Sequence, residues 1–164
     1  MDKKARFNSL FDQYYASVLR LCKGYFGGDE AVASDCAQET FLKAWEALDG
    51  FRGDSALSTW VYRIAVNTCL LHLRKQSTRK ELPTTVFPVV IQENESMADE
   101  DKVQKMYACI QKLDEKQKLI TLMMLEGVEY PDIAQVVGIT EEALRVRIHR
   151  IKKNLTKCVE HGNV

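Results

Sequence analysis

The chain has 164 residues, enough for one medium-sized domain or two small ones. Its 23 Lys and Arg balance its 23 Asp and Glu, so net charge does not favour a nucleic-acid partner, and only an uneven distribution of charge could. Neither a signal-peptide core nor a run of the roughly 18 apolar residues that a membrane span needs is present, so we expect a cytoplasmic protein without membrane insertion.

Apolar residues between Phe7 and Tyr25 recur at helical spacing and predict an amphipathic first helix, which Gly27 and Gly28 end. Asp29 can cap a second helix. An acidic stripe along this helix comprises Asp35, Glu39, Leu42 and Glu46, which fall at i, i+4, i+7 and i+11. Because acidic stripes are usually only solvated, the spacing leaves open both a partner-binding surface and a plain solvent-exposed face.

A loop rich in turn residues, at positions 49–55, precedes a third helix that we predict from about Leu57 to Lys75. The residues expected to face the core are Trp60, Ile64, Ala65, Thr68 and Leu71. Trp60 and Tyr62 add aromatic surface of the kind that stacks on unpaired bases, with core packing as the alternative for Trp60. Arg63 and Asn67 share a basic and polar face, for which simple solvation is the alternative.

Residues 77–102 carry Pro83, Pro88 and a cluster of acids but no helical periodicity, which predicts a flexible acidic linker. Helical patterns resume beyond it, and Asp114 is positioned to cap one of the later helices. We therefore expect an all-α protein of two small helical domains, residues 1–76 and 103–164, joined by this linker.

The stretch from Tyr130 to Lys157 predicts a helix-turn-helix. Pro131 suits the first helical position, Gly138 a left-handed helix end, and Thr140 the N-cap of the second helix. That second helix carries Arg145, Arg147, Arg150, Lys152, Lys153 and Lys157. No acid lies between these bases, which favours a helix laid against DNA phosphates over the alternative of a solvated hairpin with one basic face.

Cysteine and histidine patterns give no sign of catalysis or metal binding. The five cysteines are Cys22, Cys36, Cys69, Cys109 and Cys158. They lack CxxC or other metal spacing, and their odd number in apolar surroundings favours reduced, mostly buried thiols. The three histidines show no ligand spacing and are expected at the surface, and no phosphate-binding loop or nucleophile motif is present. The sequence thus predicts no enzyme activity, no cofactor and no metal.

The segment FRGDSALSTWVYRIAVN, residues 51–67, resembles the extracytoplasmic-function (ECF) group of bacterial sigma factors. The resemblance extends upstream through DCAQETFLKAW, residues 35–45, and downstream to the helix-turn-helix. It covers both predicted domains and implies that the first is sigma region two and the second sigma region four.

The resemblance implies three functional surfaces. Core polymerase would be bound by Asp35, Gln38, Glu39 and Leu42. The melted minus-ten promoter element would be bound by Arg52, Asp54, Ser58, Thr59, Trp60, Arg63 and Asn67. The double-stranded minus-thirty-five element would be bound by Arg145, Arg147, Arg150 and Lys153.

The function implied is that of a sigma factor, which directs core RNA polymerase to specific promoters and initiates transcription. The same resemblance implies control by an anti-sigma protein. Two alternatives remain at this point: a stand-alone helix-turn-helix regulator that binds duplex DNA as a dimer, and a helical adaptor that binds only protein.

Overall fold

The computed structural model describes residues 2–78 and 97–161, which form seven α-helices and one 3-10 turn without a strand in those ranges. The N-terminal helices are α1 (Lys3–Tyr25), α2 (Glu30–Ala47) and α3 (Leu57–Thr78), with the turn at Leu48–Gly50. The C-terminal helices are α4 (Met97–Gln111), α5 (Glu115–Leu125), α6 (Tyr130–Val137) and α7 (Glu141–His161). The predicted all-α fold class is confirmed.

The ends of α3 and α4 both run into the range predicted for the linker. Helix α3 reaches Thr78, and α4 begins at Met97. Residues 79–96, which make up most of that predicted linker, lie outside the described residues. The domain boundaries at 76 and 103 therefore stay a prediction.

The predicted helix caps are present. Carboxylate oxygens of Asp29 and Asp114 accept the backbone N–H groups of Val32 at 3.2 Å and Gln117 at 2.8 Å. The Thr140 hydroxyl accepts the N–H of Ala143 at 3.1 Å, while Gly138, at φ 82°, ends α6 in the left-handed region. These bonds satisfy backbone donors and fix where each helix begins, because a helix leaves its first N–H groups unpaired. Helix α6 begins one residue before Pro131.

One continuous apolar core joins the N-terminal and C-terminal helices. Helix α1 packs against α2, α3 and α5, and α3 also packs against α6. Gly24 permits the close approach of α1 to α5, since a Cβ at this position would collide with the side chain of Leu122. Across the same boundary, the Gln111 amide donates a hydrogen bond to the Gly24 carbonyl, and the Arg20 guanidinium meets the Glu126 carboxylate at 2.8–3.1 Å. The two helical domains thus lie against each other.

Helix α3 corrects the predicted core face. Leu71 is 41% exposed instead of buried, whereas Tyr62 is buried and meets the Tyr14 ring edge-on at 6.5 Å. The remaining fully or nearly buried side chains of this helix include Val61, Val66 and Cys69. A single inward face was the wrong assumption, because α3 packs against α1 and α2 on one side and α6 on another. Tyr62 is consequently a core residue with no face available for a base.

The prediction of reduced cysteines is wrong for two of the five. Cys109 of α4 and Cys158 of α7 form a disulfide, although 49 positions separate them in the sequence. Cys22, Cys36 and Cys69 are free and buried, as predicted. The pattern of spacings could not show this pairing, because packing of α4 on α7 brings the two sulfurs together.

The expectation of surface histidines is also wrong for His72. This side chain is half-buried, its ring lies 6.2 Å from that of Phe26, and its Nε2 lies 2.6 Å from the Glu39 carboxylate.

No described helix is long and apolar enough to cross a membrane.

Candidate polymerase and nucleic-acid interfaces

The acidic stripe on α2 lies at the surface and has an apolar member. Asp35 and Gln38 are exposed, and Leu42 is 64% exposed, more than any other large apolar side chain among the described residues. An exposed leucine by itself needs no explanation, but one set among acidic and polar side chains on a single helix face gives a mixed surface of the kind found at protein interfaces. We call Asp35, Gln38, Glu39 and Leu42 the α2 surface.

Glu39 differs from its neighbours because it is tied to other side chains. One carboxylate oxygen lies 2.6 Å from His72 Nε2 on α3, and the other lies 3.4 Å from Lys43 Nζ one turn along α2. Burial alone would raise the pKa of Glu39, but the hydrogen bond from His72 and the charge of Lys43 outweigh it and hold the pKa below its ordinary value. Glu39 is therefore an anchored carboxylate, half-buried at the edge of the α2 surface.

The loop before α3 and the outer face of α3 bring together most of the predicted minus-ten residues. Arg52, Asp54, Arg63 and Asn67 are exposed and Ser58 is half-buried. Trp60 is half-buried, with its ring centroid 5.1 Å from that of Phe51. Trp60 was predicted either to pack in the core or to offer surface for stacking. Part of the indole packs on Phe51, and part stays accessible to solvent. We call Arg52, Asp54, Ser58, Trp60, Arg63 and Asn67 the α3 surface.

Thr59 does not join the α3 surface. It is fully buried, and its hydroxyl has no hydrogen-bond partner among the described residues. A buried hydroxyl without a partner is costly, and Thr59 lies in the first turn of α3. In this conformation Thr59 cannot reach DNA.

The basic side of α7 is exposed apart from the half-buried Arg147, and acids lie beside some of its cations. Arg145 is bonded to Glu141 at 2.8 Å and lies 5.6 Å from the centre of the Tyr130 ring. Arg147 and Arg150 line a cleft with residues 113–117 at the start of α5, which include Asp114 and Glu115. Lys153 is exposed. That these acids lie beside the cations was not predicted from the sequence, although the four-residue spacing of Glu141 and Arg145 was a readable signal.

The α3 surface and the helix-turn-helix meet in this structure. The Arg63 guanidinium donates to the backbone carbonyl of Gln135 in α6 at 3.5 Å. Nothing in the sequence could have shown this contact, because 72 positions separate the two residues and neither belongs to a spacing pattern with the other.

The described residues thus form an all-helical chain with a helix-turn-helix, an acidic face with an exposed leucine on α2 and a basic face on α7. Residues 10–79 match the family described as Sigma-70 region 2, and residues 104–155 match Sigma-70, region 4. The ECF RNA polymerase sigma-E factor of Haemophilus influenzae is 34% identical over 97% of this chain and 89% of the relative. That of Escherichia coli (strain K12) is 35% identical over 97% and 88%.

Two solved structures share the fold. The sigma factor RpoE in complex with the anti-sigma factor NepR from Bartonella quintana superposes with a TM-score of 0.78 at 19% identity, over 95% of this chain and 98% of that one. CnrH in complex with the cytosolic domain of CnrY gives a TM-score of 0.71 at 22% identity, over 96% and 89%.

The chain belongs to the extracytoplasmic-function group of sigma-70 factors. It is a transcription initiation factor that binds core RNA polymerase and promoter DNA and directs the polymerase to specific promoters. The predicted family and function are confirmed, and the reading as a stand-alone regulator is not needed to explain either domain.

Proposed function

We propose that three separate surfaces divide the work of this sigma factor in the cytoplasm, with no active site of its own. The α2 surface binds core polymerase, the α3 surface holds the opened minus-ten strand, and the cations of α7 read the minus-thirty-five duplex. The observation that carries the division is the segregation of chemistry: acids with an exposed leucine on α2, aromatic and polar groups around the start of α3, and cations on α7. The corresponding domains are residues 1–76 and 103–164, with 77–102 as the linker.

Core polymerase binding is centred on Leu42. Its side chain supplies apolar area that would leave water on docking, and Asp35 and Gln38 supply polar contacts around it. One carboxylate oxygen of Glu39 contacts His72 and the other contacts Lys43. These contacts hold the side chain in one position, so Glu39 presents a fixed negative charge at the edge of the α2 surface.

Minus-ten recognition combines the accessible part of Trp60 with the polar groups beside it. An indole held on Phe51 offers a fixed stacking platform for an unpaired base, while Arg63 and Asn67 contact the backbone or base edges. Thr59 supports this surface from beneath instead of touching DNA.

Minus-thirty-five recognition rests on α7. Arginines can contact guanine O6 and N7 bidentately, whereas Lys153 is suited to phosphate. Glu141 and the Tyr130 ring hold Arg145 in place before DNA arrives, which lowers the cost of ordering its side chain on binding.

Promoter binding requires the domains to separate. Promoter elements about two helical turns apart are roughly 70 Å from each other, yet Arg63 of the α3 surface touches Gln135 of the helix-turn-helix. The closed arrangement is thus a resting form. An anti-sigma protein that holds both domains closed would block transcription, and the similar chains noted above were solved with an anti-sigma factor or a cytosolic partner domain bound.

The experiment that tests this proposal replaces one exposed leucine at a time. Leu42→Ala should weaken binding to core polymerase by about 1–2 kcal/mol, or roughly 5- to 30-fold, because it removes the apolar centre of the α2 surface. Leu71→Ala is the matched control, since Leu71 is also exposed, at 41%, but lies on α3 outside that surface. Fluorescence anisotropy of labelled sigma factor titrated with core polymerase measures both.

Run-off transcription from promoter fragments of the source genome gives the second readout. At saturating sigma factor, Leu42→Ala should initiate at the same promoters as the wild type, because its DNA-binding surfaces are intact. Equal loss of core binding in Leu42→Ala and Leu71→Ala would refute the assignment of the α2 surface.

A further inference from the structure

Three thiols from three different helices meet inside the N-terminal domain. Cys22 lies on α1, Cys36 on α2 and Cys69 on α3, and none of them is exposed to solvent. The sulfur of Cys69 is 3.8 Å from that of Cys22 and 3.5 Å from that of Cys36, and all three sulfurs lie within 4.8 Å of one another. Neither the sigma-factor activity nor the three surfaces described above makes use of this cluster.

The separations fit a single ion bound by all three sulfurs. A circle through three points with these spacings has a radius of about 2.1–2.4 Å, which brackets the bond of about 2.3 Å between thiolate sulfur and zinc. An ion at this bond length would lie in or near the plane of the three sulfurs, and an ion bound in a pyramid would need the sulfurs to move together by a few tenths of an ångström. Thiolates are soft ligands and select soft ions over magnesium, calcium or manganese.

The number of available ligands limits which ion could bind here. Among the described residues, no imidazole or carboxylate joins the group in which every ligand atom lies within 4.8 Å of the others. Glu39 and His72, one turn beyond Cys36 and Cys69, are bonded to each other instead. Structural zinc takes four ligands in a tetrahedron, so a buried set of three thiolates suits an ion that is content with three.

The net charge of the buried site limits the choice of ion further. Three thiolates with a divalent ion would leave one net negative charge in an apolar core, and with a monovalent ion two, which is costly to bury. Three thiolates with a trivalent ion are neutral. Trivalent arsenic satisfies both conditions, since it binds three sulfurs in a pyramid and carries the charge that cancels theirs.

We propose that Cys22, Cys36 and Cys69 form a buried binding site for trivalent arsenic, taken up as arsenite, As(OH)3. Three As–S bonds form and three As–O bonds break, and each thiol proton leaves with a hydroxide as water. No electron is transferred, so no oxidant or reductant is needed. Binding fastens α1, α2 and α3 to one atom and thereby rigidifies the domain that carries the α2 and α3 surfaces.

The test uses the full-length wild-type protein with the Cys109–Cys158 disulfide intact, handled without oxygen, so that only the three clustered thiols are free. Sodium arsenite is added, and native mass spectrometry should show one adduct with the mass of one arsenic less three hydrogens. All three thiols should become protected from alkylation. Because the sulfurs are fully buried, binding should be slow and should accelerate in mild urea, which promotes local opening.

Variants separate this site from the disulfide pair. Cys109→Ala with Cys158→Ala should keep the one-arsenic adduct even under a phosphine reductant, whereas Cys69→Ala should lose it. Far-UV circular dichroism checks folding, and Cys36→Val provides the same test with a side chain that fills the core if Cys69→Ala does not fold. An adduct that persists without Cys69 or Cys36, no adduct in the wild type, or stoichiometric zinc binding that excludes arsenite would each overturn the proposal.

Because this inference does not rest on the assignment of the α2, α3 or α7 surfaces, its failure would leave the proposed function untouched.

Discussion

The two domains carry their functional residues in opposite ways. In the C-terminal domain one helix, α7, presents all the proposed DNA-contacting cations, and the helix is capped by Thr140 and joined to α4 by the Cys109–Cys158 disulfide. In the N-terminal domain the functional residues are spread over α2, a loop and α3, and they depend on contacts between helices such as Glu39 with His72. A surface carried by one helix follows from local sequence, whereas a surface assembled from several elements follows only from packing.

The largest expected difference between the domains comes from the disulfide. Cys109→Ala with Cys158→Ala should lower the free energy of unfolding of the C-terminal domain by about 2–4 kcal/mol, because a closed loop of about 50 residues restricts the unfolded chain. Urea unfolding followed by hydrogen exchange on α4 and α7 measures this loss.

The N-terminal domain provides the internal reference for that experiment. Both tryptophans, Trp45 and Trp60, lie in it, so tryptophan fluorescence follows its unfolding separately. A reductant should shift the exchange of α4 and α7 in the wild type and change nothing in the double variant. A shift of equal size in the tryptophan transition would mean that the two domains unfold as one unit.

A smaller effect, on promoter binding, is expected when single cations of α7 are replaced by alanine. Arg150→Ala should weaken binding of the holoenzyme to promoter DNA by about 1–3 kcal/mol and relax the base preference at one minus-thirty-five position, because a bidentate contact to a base edge is lost. Lys153→Ala should weaken binding to all sequences alike and reduce the salt dependence by about one unit of slope, as expected for a phosphate contact.

Competition between promoter variants at several salt concentrations measures both substitutions. Lys112→Ala is the control, because Lys112 is exposed in the same domain but lies outside α7. If Arg150→Ala lowered affinity without changing base preference, Arg150 would be a phosphate contact and not a reader of sequence.

Local features of the chain were predictable from sequence for a physical reason. The caps at Asp29, Asp114 and Thr140 and the left-handed Gly138 each depend on residues within three or four positions, so the spacing of side chains determines them. The same holds for the one-sided charge of α7. The motif FRGDSALSTWVYRIAVN at 51–67, together with residues 35–45 and the helix-turn-helix, indicated the family.

Features that depend on how separate helices pack together were not predictable. Thr59 belongs to that motif yet is buried, Leu71 shares the spacing of core residues yet is exposed, and Tyr62 is in the core because α1 supplies Tyr14 against it. The three-thiol cluster and the disulfide are further examples, since positions 33 to 49 apart become neighbours only through helix packing. The periodicity of apolar residues predicts one buried face for each helix. This prediction is wrong for α3, because α3 packs against other helices on two sides.

Contact between the domains gives the third prediction. The Arg20 guanidinium and the Glu126 carboxylate hold α1 to the end of α5, and the hydrogen bond to Glu126 raises the pKa of Arg20. Arg20→Ala should favour the open arrangement by no more than about 1 kcal/mol, because Arg20 is largely exposed and its pair is screened by solvent. Distances between labels on α2 and α7, measured by single-molecule energy transfer, report the open fraction. Lys23→Ala, which removes a cation near the end of the same helix that pairs within the N-terminal domain, should leave that fraction unchanged.

The smallest effect concerns the anchored carboxylate of the α2 surface. Since the pKa of Glu39 is lowered in the folded protein, its contribution to stability is present above the unfolded value of about 4.3 and is lost as pH falls through the folded value. Glu39→Gln should therefore reduce the loss of stability on acidification, by roughly 0.5 kcal/mol or less because the side chain is about one-third exposed. Urea unfolding followed by tryptophan fluorescence from pH 6 to about pH 3 measures this difference in stability.

Glu46→Gln, on the exposed side of the same helix, is the matched control. If both variants changed the acid response equally, the bond to His72 would contribute nothing to anchoring Glu39, and the α2 surface would be held by helix packing alone.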